Sequence, residues 1–270
     1  MKLIKSFFSV LFSAVLLLSA TTTSSIAIDK IHFVIGGGAG GGWDGTARGT
    51  GEALTKAGFL KSASFENMSG GGVVKMYSDF KSPYAFLAFK PGIELARKYN
   101  IKVKWRPFQL RLKGKGQRSI YSEWKVKYSY MDARRHANRL YDGQMLRGPL
   151  KIFDTTPSLI GSLFAEKHKK LEEYCMTLFE SFFKREFAAD EIEEVSKLIE
   201  HIGLSKKEYL KFLEGDGAVE FEACLDEAAD DHIFGVPIFV FNGEQFWGAD
   251  RIWLLEETLA NAGLAISDGS

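Results

Sequence analysis

The sequence predicts a two-piece α/β chain: a short glycine-rich βαβ segment, then a larger body whose elements run β-α-β, a long helical stretch, and β-β-α. Three observations carry this. The composition changes near Gly72-Val73, from glycine-heavy and poor in aromatics to aromatic-rich. Short apolar blocks at 73–80, 101–108 and 238–241 have the length and content of strands. Between residues 120 and 226 the apolar positions step by three or four, the period of a helix with one buried face.

The 270 residues are 46% hydrophobic and 13% aromatic, ample for a globular core. With 35 Lys and Arg against 34 Asp and Glu the formal net charge is +1, which gives none of the global field that nucleic-acid binders use for steering. A small-molecule site is the better expectation, with no nucleic-acid partner.

Each element follows from local chemistry. Residues 1–27 place Lys2 and Lys5 before an apolar run from Phe7 to Leu18 and a small polar stretch ending at Ala27. That is the layout of a cleaved secretory signal peptide, its apolar run being short for a membrane span. No stable span is expected after cleavage, and the compartment implied is the periplasm or beyond. If the leader is a fusion remnant, the compartment is the cytoplasm. A strand over 30–35 breaks into a glycine-rich turn, a helix follows over about 44–57 with Gly58 as its stop, and a second strand covers 62–67. A glycine-rich turn at a helix N-terminus suits a phosphate or carboxylate, although neither the Walker nor the dinucleotide spacing is present.

In the body, 73–80 is the first strand. Pro83 to Tyr99 is a helix expected to be interrupted and bent at Lys90-Pro91, because proline removes a helical hydrogen bond. The second strand is 101–108. Helices fill 120–226, with loops expected around 142–148 and 155–157, and Leu171, Tyr174, Leu178 and Phe182 form a buried stripe. His168 and His201 sit on charged helical surfaces with no partners at metal-ligand spacing. Cys175 and Cys224, the two cysteines of the chain, lie on helical patterns and read as buried core thiols. Near the end, 238–241 is an apolar strand, Asn242-Gly243 a two-residue hairpin turn, 244–247 the return strand, and Asp250 opens the last helix. This order fits a thioredoxin-like core with an all-helical insertion at about 115–230.

Two resemblances sharpen the reading. The stretch "GGGAGGGWDGTAR" with "KAGFLKSASFENMSGGG" resembles the start of the substrate-binding receptors of tripartite tricarboxylate transporters. Those receptors are two-lobed, and the second lobe is missing here. Residues 28–72 are therefore expected to be a receptor-like fragment without transport function, fused ahead of the body. Residues 73–263 resemble the 2-hydroxychromene-2-carboxylate isomerases and the kappa-class glutathione transferases, with 264–270 as a tail. This second likeness rests on "DFKSPYAFLA", "WRPFQL", Lys125, Tyr128, Asp132 and Arg135 in "KVKYSYMDARR", and "FGVPIFVFNGEQFWGADR".

It implies glutathione as cofactor, Ser82 as the residue that meets its sulfur, and an aromatic carboxylate as substrate; it also leaves room for a homodimer. The chemistry of the residues agrees. Ser82 is an N-cap type and Pro83 suits the first helical position, so the hydroxyl should meet the positive end of a helix, where a thiolate is stabilised. With no cysteine at 82 the dithiol exchange of related oxidoreductases is not expected. The resemblance further implies that Val236-Pro237 is cis, as is typical of the thioredoxin-like superfamily, and presents its backbone to glutathione as an added strand; on its residues alone, a plain hairpin-entry proline is the alternative. Ala249, Asp250 and Arg251 are expected to hold the γ-glutamyl end. Tyr84, in the serine block, is counted with the cofactor, and Arg106 and Lys125 with the glycine end or the substrate carboxylate. The mechanism implied is thiolate addition, rotation about the bond made single, and elimination. Release of the adduct would instead make the chain a transferase. A third alternative is an exported receptor-like protein holding a carboxylate at 36–48. The basic stretch 109–122 departs from the family pattern and bears on substrate identity.

Overall fold

The computed structural model describes residues 28–35, 42–67, 71–111, 119–140 and 146–266. The leader, the centre of the glycine-rich turn, most of the basic stretch after 111 and the start of the expected 142–148 loop lie outside them. Contacts divide the chain into two units, residues 1–69 and 70–270.

The first unit is a βαβ element. Strand β1 (Ile28–Ile35) pairs in parallel with β2 (Leu60–Asn67), with helix α1 (Gly42–Lys56) between them. Gly58 takes φ +75° after the helix, a backbone conformation glycine adopts without steric cost.

The second unit holds a four-stranded sheet in the order β4-β3-β5-β6. Strand β3 (Gly72–Ser78) pairs in parallel with β4 (Ile101–Pro107) through helix α2 (Pro83–Lys98), and antiparallel with β5 (Ile238–Phe241). The Asn242-Gly243 turn, both residues at positive φ, returns the chain into β6 (Glu244–Trp247). Between β4 and β5 the described residues form six helices: α3 (Ile120–Leu140), α4 (Thr156–Lys167), α5 (Leu171–Lys184), α6 (Ile192–His201), α7 (Lys206–Glu214) and α8 (Asp216–Asp230). A 3₁₀ turn (Ala249–Arg251) and α9 (Ile252–Asn261) close the unit.

Strand alternation sorts the two faces of the sheet. Val74 and Met76 of β3 and Trp105 of β4 pack with Phe86, Phe89 and Leu95 of α2 in the main core. Tyr77, the neighbour of Met76 along β3, faces the other way into a smaller cluster with Ala228 of α8, Val236, Ile238 and Val240. Aromatic rings dominate the main core, where Phe80 meets Phe179 at 4.9 Å and Phe89 meets Trp105 edge-on at 5.5 Å. The buried face of α5 is wider than the single stripe expected. It includes Cys175, Phe179 and Phe183, because the helix is covered from two sides.

Two expectations about helices are corrected. Helix α2 continues without interruption through Pro91. Packing holds it on both sides of the proline: Phe89 and Leu95 are fully buried, and Gly92 sits so close to the sheet that an added Cβ would lie 2.8 Å from Phe239. The segment 155–157 is not a loop but the start of α4, because Pro157 in the first turn lacks only an N–H that would have no helical partner there.

Candidate active site

The site grows from the cap of α2. Ser82 has extended backbone angles, φ −89° and ψ 117°, and its Oγ accepts from the Ala85 N–H at 3.2 Å, while Pro83 opens the helix. The same hydroxyl donates to the Val236 carbonyl at 3.2 Å, and the Val236-Pro237 bond is cis. A serine at a helix N-terminus and a cis-proline loop more than 150 residues away are thus joined by one hydrogen bond. Ser82 is only 6% exposed, so its hydroxyl lies at the floor of the site.

Beneath it is a buried ionic network that the sequence reading did not assign. Asp79 accepts from the Lys81 N–H and the Thr155 hydroxyl at Oδ1 (3.1 and 2.8 Å) and from the Leu110 N–H at Oδ2 (2.7 Å). The Lys81 ammonium lies 3.3 Å from Oδ2 and is 4% exposed. The Asp79 carbonyl in turn accepts from the Ser82 N–H at 3.0 Å. One fully buried carboxylate therefore fastens the loop carrying Ser82 to the chain after β4 and to the start of α4. Burial pushes the Asp79 carboxyl above its usual range, outweighing Lys81 and the three donors. Asp154, close by, moves the other way because Thr156 donates to it.

Tyr84 donates to Asp132 of α3 at 2.9 Å, and burial together with that carboxylate pushes its phenol up to about 12. It therefore stays protonated at neutral pH and ties α3 to the first turn of α2. Lys125 is exposed on α3. The 3₁₀ turn 249–251 packs against α2, with Asp250 and Arg251 exposed and paired to each other at 2.6 Å. Arg106 is not brought to Ser82. It shares the Tyr77 face of the sheet, where its Nε donates to Glu227 at 2.6 Å and its NH1 to the Trp105 carbonyl. Lys75 also reaches Glu227 and Asp231 there, and Tyr77 donates to Asp231. That network anchors α8 to the sheet. A cavity of about 340 Å³ opens where the chain after β4 meets the end of α8, lined by Phe108, Leu110, Arg111, Ile233 and Phe234. Leu110 is bonded to Asp79 and Phe234 lies two residues before Val236, so the cavity shares walls with the site.

These features coincide with a known domain. The model of a DSBA-like thioredoxin domain matches residues 73–260. The chain belongs to that family. Within it, the chain is 27% identical over 198 residues to a 2-hydroxychromene-2-carboxylate isomerase of Pseudomonas putida, covering 69% of this chain and 94% of that protein. It is 25% identical over 199 residues to the protein of the same name from Pseudomonas sp. strain C18, covering 70% and 91%. A solved 2-hydroxychromene-2-carboxylate isomerase superposes with a TM-score of 0.59 at 22% identity, over 70% of this chain and 95% of the other. A probable DsbA oxidoreductase from Streptomyces coelicolor superposes with a TM-score of 0.60 at 18% identity, over 71% and 90%. At these identities the superpositions speak for the fold alone.

This DSBA-like domain has serine where the helix cap meets the cis-proline loop. Its two cysteines are free and buried in the core, and burial pushes the Cys224 thiol up to about 11 and that of Cys175 well above its ordinary value. Among the described residues no group of His, Cys, Asp and Glu could hold a metal ion. The signal for the Asp79 network was present in the quoted Asp79-Phe80-Lys81. Two charges flanking an aromatic at the end of an apolar strand mark a buried pair, but Thr155 and Leu110 as partners are visible only in three dimensions.

Proposed function

We propose that residues 73–263 form a glutathione-dependent isomerase of the 2-hydroxychromene-2-carboxylate isomerase type, acting on a carboxylate-bearing aromatic substrate. The observation that carries the reading is the meeting of the Ser82 hydroxyl, at the N-terminus of α2, with the cis Val236-Pro237 peptide. Relatives named 2-hydroxychromene-2-carboxylate isomerase, matched over nearly their whole length, support the reaction class.

The residues fit such a cofactor. Ser82 Oγ donates to a carbonyl of the cis-proline loop, a bond that rotation of the hydroxyl can exchange for an anion. Glutathione, when bound, supplies a thiolate that adds reversibly to a conjugated carbon so that the bond can turn before elimination. Ser82 stabilises the anionic form by its hydroxyl and by its place at the positive helix end. A pKa lowered by one unit corresponds to about 1.4 kcal/mol, within reach of one such hydrogen bond plus the dipole. The Val236-Pro237 backbone would hold the peptide portion, and Ala249, Asp250 and Arg251 its charged γ-glutamyl end. Tyr84 and Asp132 hold the wall formed by α3, on which Lys125 is available to a carboxylate.

The test is a titration of glutathione with the full chain, following the ultraviolet absorbance of its thiolate across neutral pH for the wild type and Ser82→Ala. The proposal expects ionised glutathione with the wild type and bound but protonated glutathione with the variant. Loss of a cap costs only about 1 kcal/mol, so Ser82→Ala should fold. No binding by either protein would leave the family likeness as a statement about fold.

A further inference from the structure

Helix α3 carries apolar side chains on two opposite sides. Toward the body it buries Ala133 and Ala137, and Tyr130 packs on the core. Val126, on that same side two turns before Ala133, is 36% exposed, and on the far side Ile120, Tyr121, Trp124, Tyr128 and Met131 are exposed, Tyr121 by 72%, Trp124 by 54% and Tyr128 by 55%. At about 100° per residue these five fall in an arc of roughly 100°, nearly opposite the two alanines. The arc is ordered: the Tyr121 and Trp124 rings meet edge to face, 5.4 Å apart at 87°. A helix face turned to water is normally polar, so a row of this size marks a docking surface.

Charge indicates what docks. The basic residues of α3 are Lys125, Lys127, Arg134, Arg135 and Arg139, and its acids are Glu123 and Asp132. Both acids are turned inward: Glu123 Oε1 is buried, and Asp132 is bonded to Tyr84 and lies 3.8 Å from His136. Arg135 lies within the apolar arc with its guanidinium against Met131 Sδ, while Lys127 and Arg139 flank it. We propose that this face of α3 docks on an anionic membrane surface, with Trp124 and Tyr128 at the headgroup boundary and Lys127, Arg135 and Arg139 against lipid phosphates. Aromatic and aliphatic residues flanked by Lys and Arg are the composition of helices that lie along such surfaces. No helix among the described residues is long and apolar enough to cross a membrane, so the contact is along the surface. A second copy is disfavoured because it would bring two basic faces together. Single-stranded nucleic acid is disfavoured because Ile120 and Met131 offer no ring to stack on and one convex helix offers no groove. The inference does not depend on the glutathione chemistry proposed above.

The experiment is co-sedimentation of the full chain with phosphatidylcholine vesicles, with and without phosphatidylglycerol. Three proteins are compared: the wild type, Tyr121→Ser/Trp124→Ser, and Lys127→Gln/Arg139→Gln. All four replaced side chains are exposed, so circular dichroism and urea unfolding should be unchanged. The wild type is expected on the anionic vesicles only, released by salt, and bound at least tenfold more weakly by the aromatic variant. For the charge variant the loss should be about thirtyfold, at about 1 kcal/mol for each basic residue near the surface. Equal binding by all three would assign it to another segment, such as residues 1–27, and overturn the proposal. So would a wild-type dimer in sedimentation velocity that the aromatic variant abolishes, or oligonucleotide binding lost in that variant, if either came without vesicle binding.

Discussion

Replacing Asp79 by alanine removes the one acceptor shared by the Lys81 N–H, the Thr155 hydroxyl and the Leu110 N–H, and leaves the Lys81 ammonium 4% exposed and unpaired. Each buried donor left without a partner costs about 1–3 kcal/mol, and opening a buried pair about 3–5 kcal/mol, contributions that overlap because the groups are neighbours. Asp79→Ala is therefore expected to lose about 3–5 kcal/mol in urea unfolding. Asp79→Asn keeps an oxygen for the two donors at Oδ1 and loses the two groups at Oδ2, so it should cost about half as much. Adding Lys81→Met to Asp79→Ala should recover part of the loss, because no ammonium is then buried without a partner. The pH dependence has a definite sign. The folded carboxyl sits above its ordinary value of 3.8, so between 3.8 and the raised folded value the native state binds a proton more readily than the unfolded chain. Its contribution is complete below 3.8 and is lost as pH rises through the raised folded value, and that slope is absent in Asp79→Asn. An Asp79→Ala protein within about 1 kcal/mol of the wild type, or equal costs for Ala and Asn, would refute the view of Asp79 as the junction of the site.

Three further outcomes are expected. Gly92→Ala places a Cβ 2.8 Å from Phe239 and 3.1 Å from Met76 Sδ, an overpacking worth about 1–3 kcal/mol that a thermal melt would register, with a rise in stability as the contrary result. Cys175 and Cys224, buried with raised pKa values, should resist a thiol reagent at neutral pH in the native protein and react once urea unfolds it; a fast native phase would contradict the burial. At Glu227 burial works against the charge, but Lys75 and Arg106 hold the carboxyl below its ordinary value of 4.5. Its contribution is thus present above 4.5 and lost as pH falls through the lowered folded value, and Glu227→Gln should shrink the difference between neutral and acid stability.

How much was legible in the sequence follows from how local each feature is. The Asn242-Gly243 turn, the four buried residues of β5 and the Ser82-Pro83 cap are set by adjacent residues and were read from them. The break expected at Pro91 was a local inference overruled by tertiary packing, since Gly92 is pressed against Phe239 from the sheet. The sequence points to Arg106 as a ligand for the substrate carboxylate or the glycine end of glutathione, because it lies beside Pro107 in a family-like block. Its actual partner, Glu227, comes from a helix 121 positions further on, which no spacing argument reaches. Only half of the Asp79 junction is local: Lys81 lies two residues away, whereas Leu110 and Thr155 stand 31 and 76 positions further on, beyond any spacing argument.

The sheet order has a consequence for how the chain is made. Strand β5 pairs with β3, yet the whole helical insertion is synthesised between them. At a synthesis rate of about 5–20 residues per second, β3 waits on the order of ten seconds or more beside β4 with its other edge open. That edge includes Val74, Met76 and Tyr77, all fully buried in the finished protein. A nascent chain stalled within the insertion would thus present an unpaired apolar strand, the kind of surface that invites aggregation and that chaperones cover. The insertion, by its length, sets the time for which the core needs that protection.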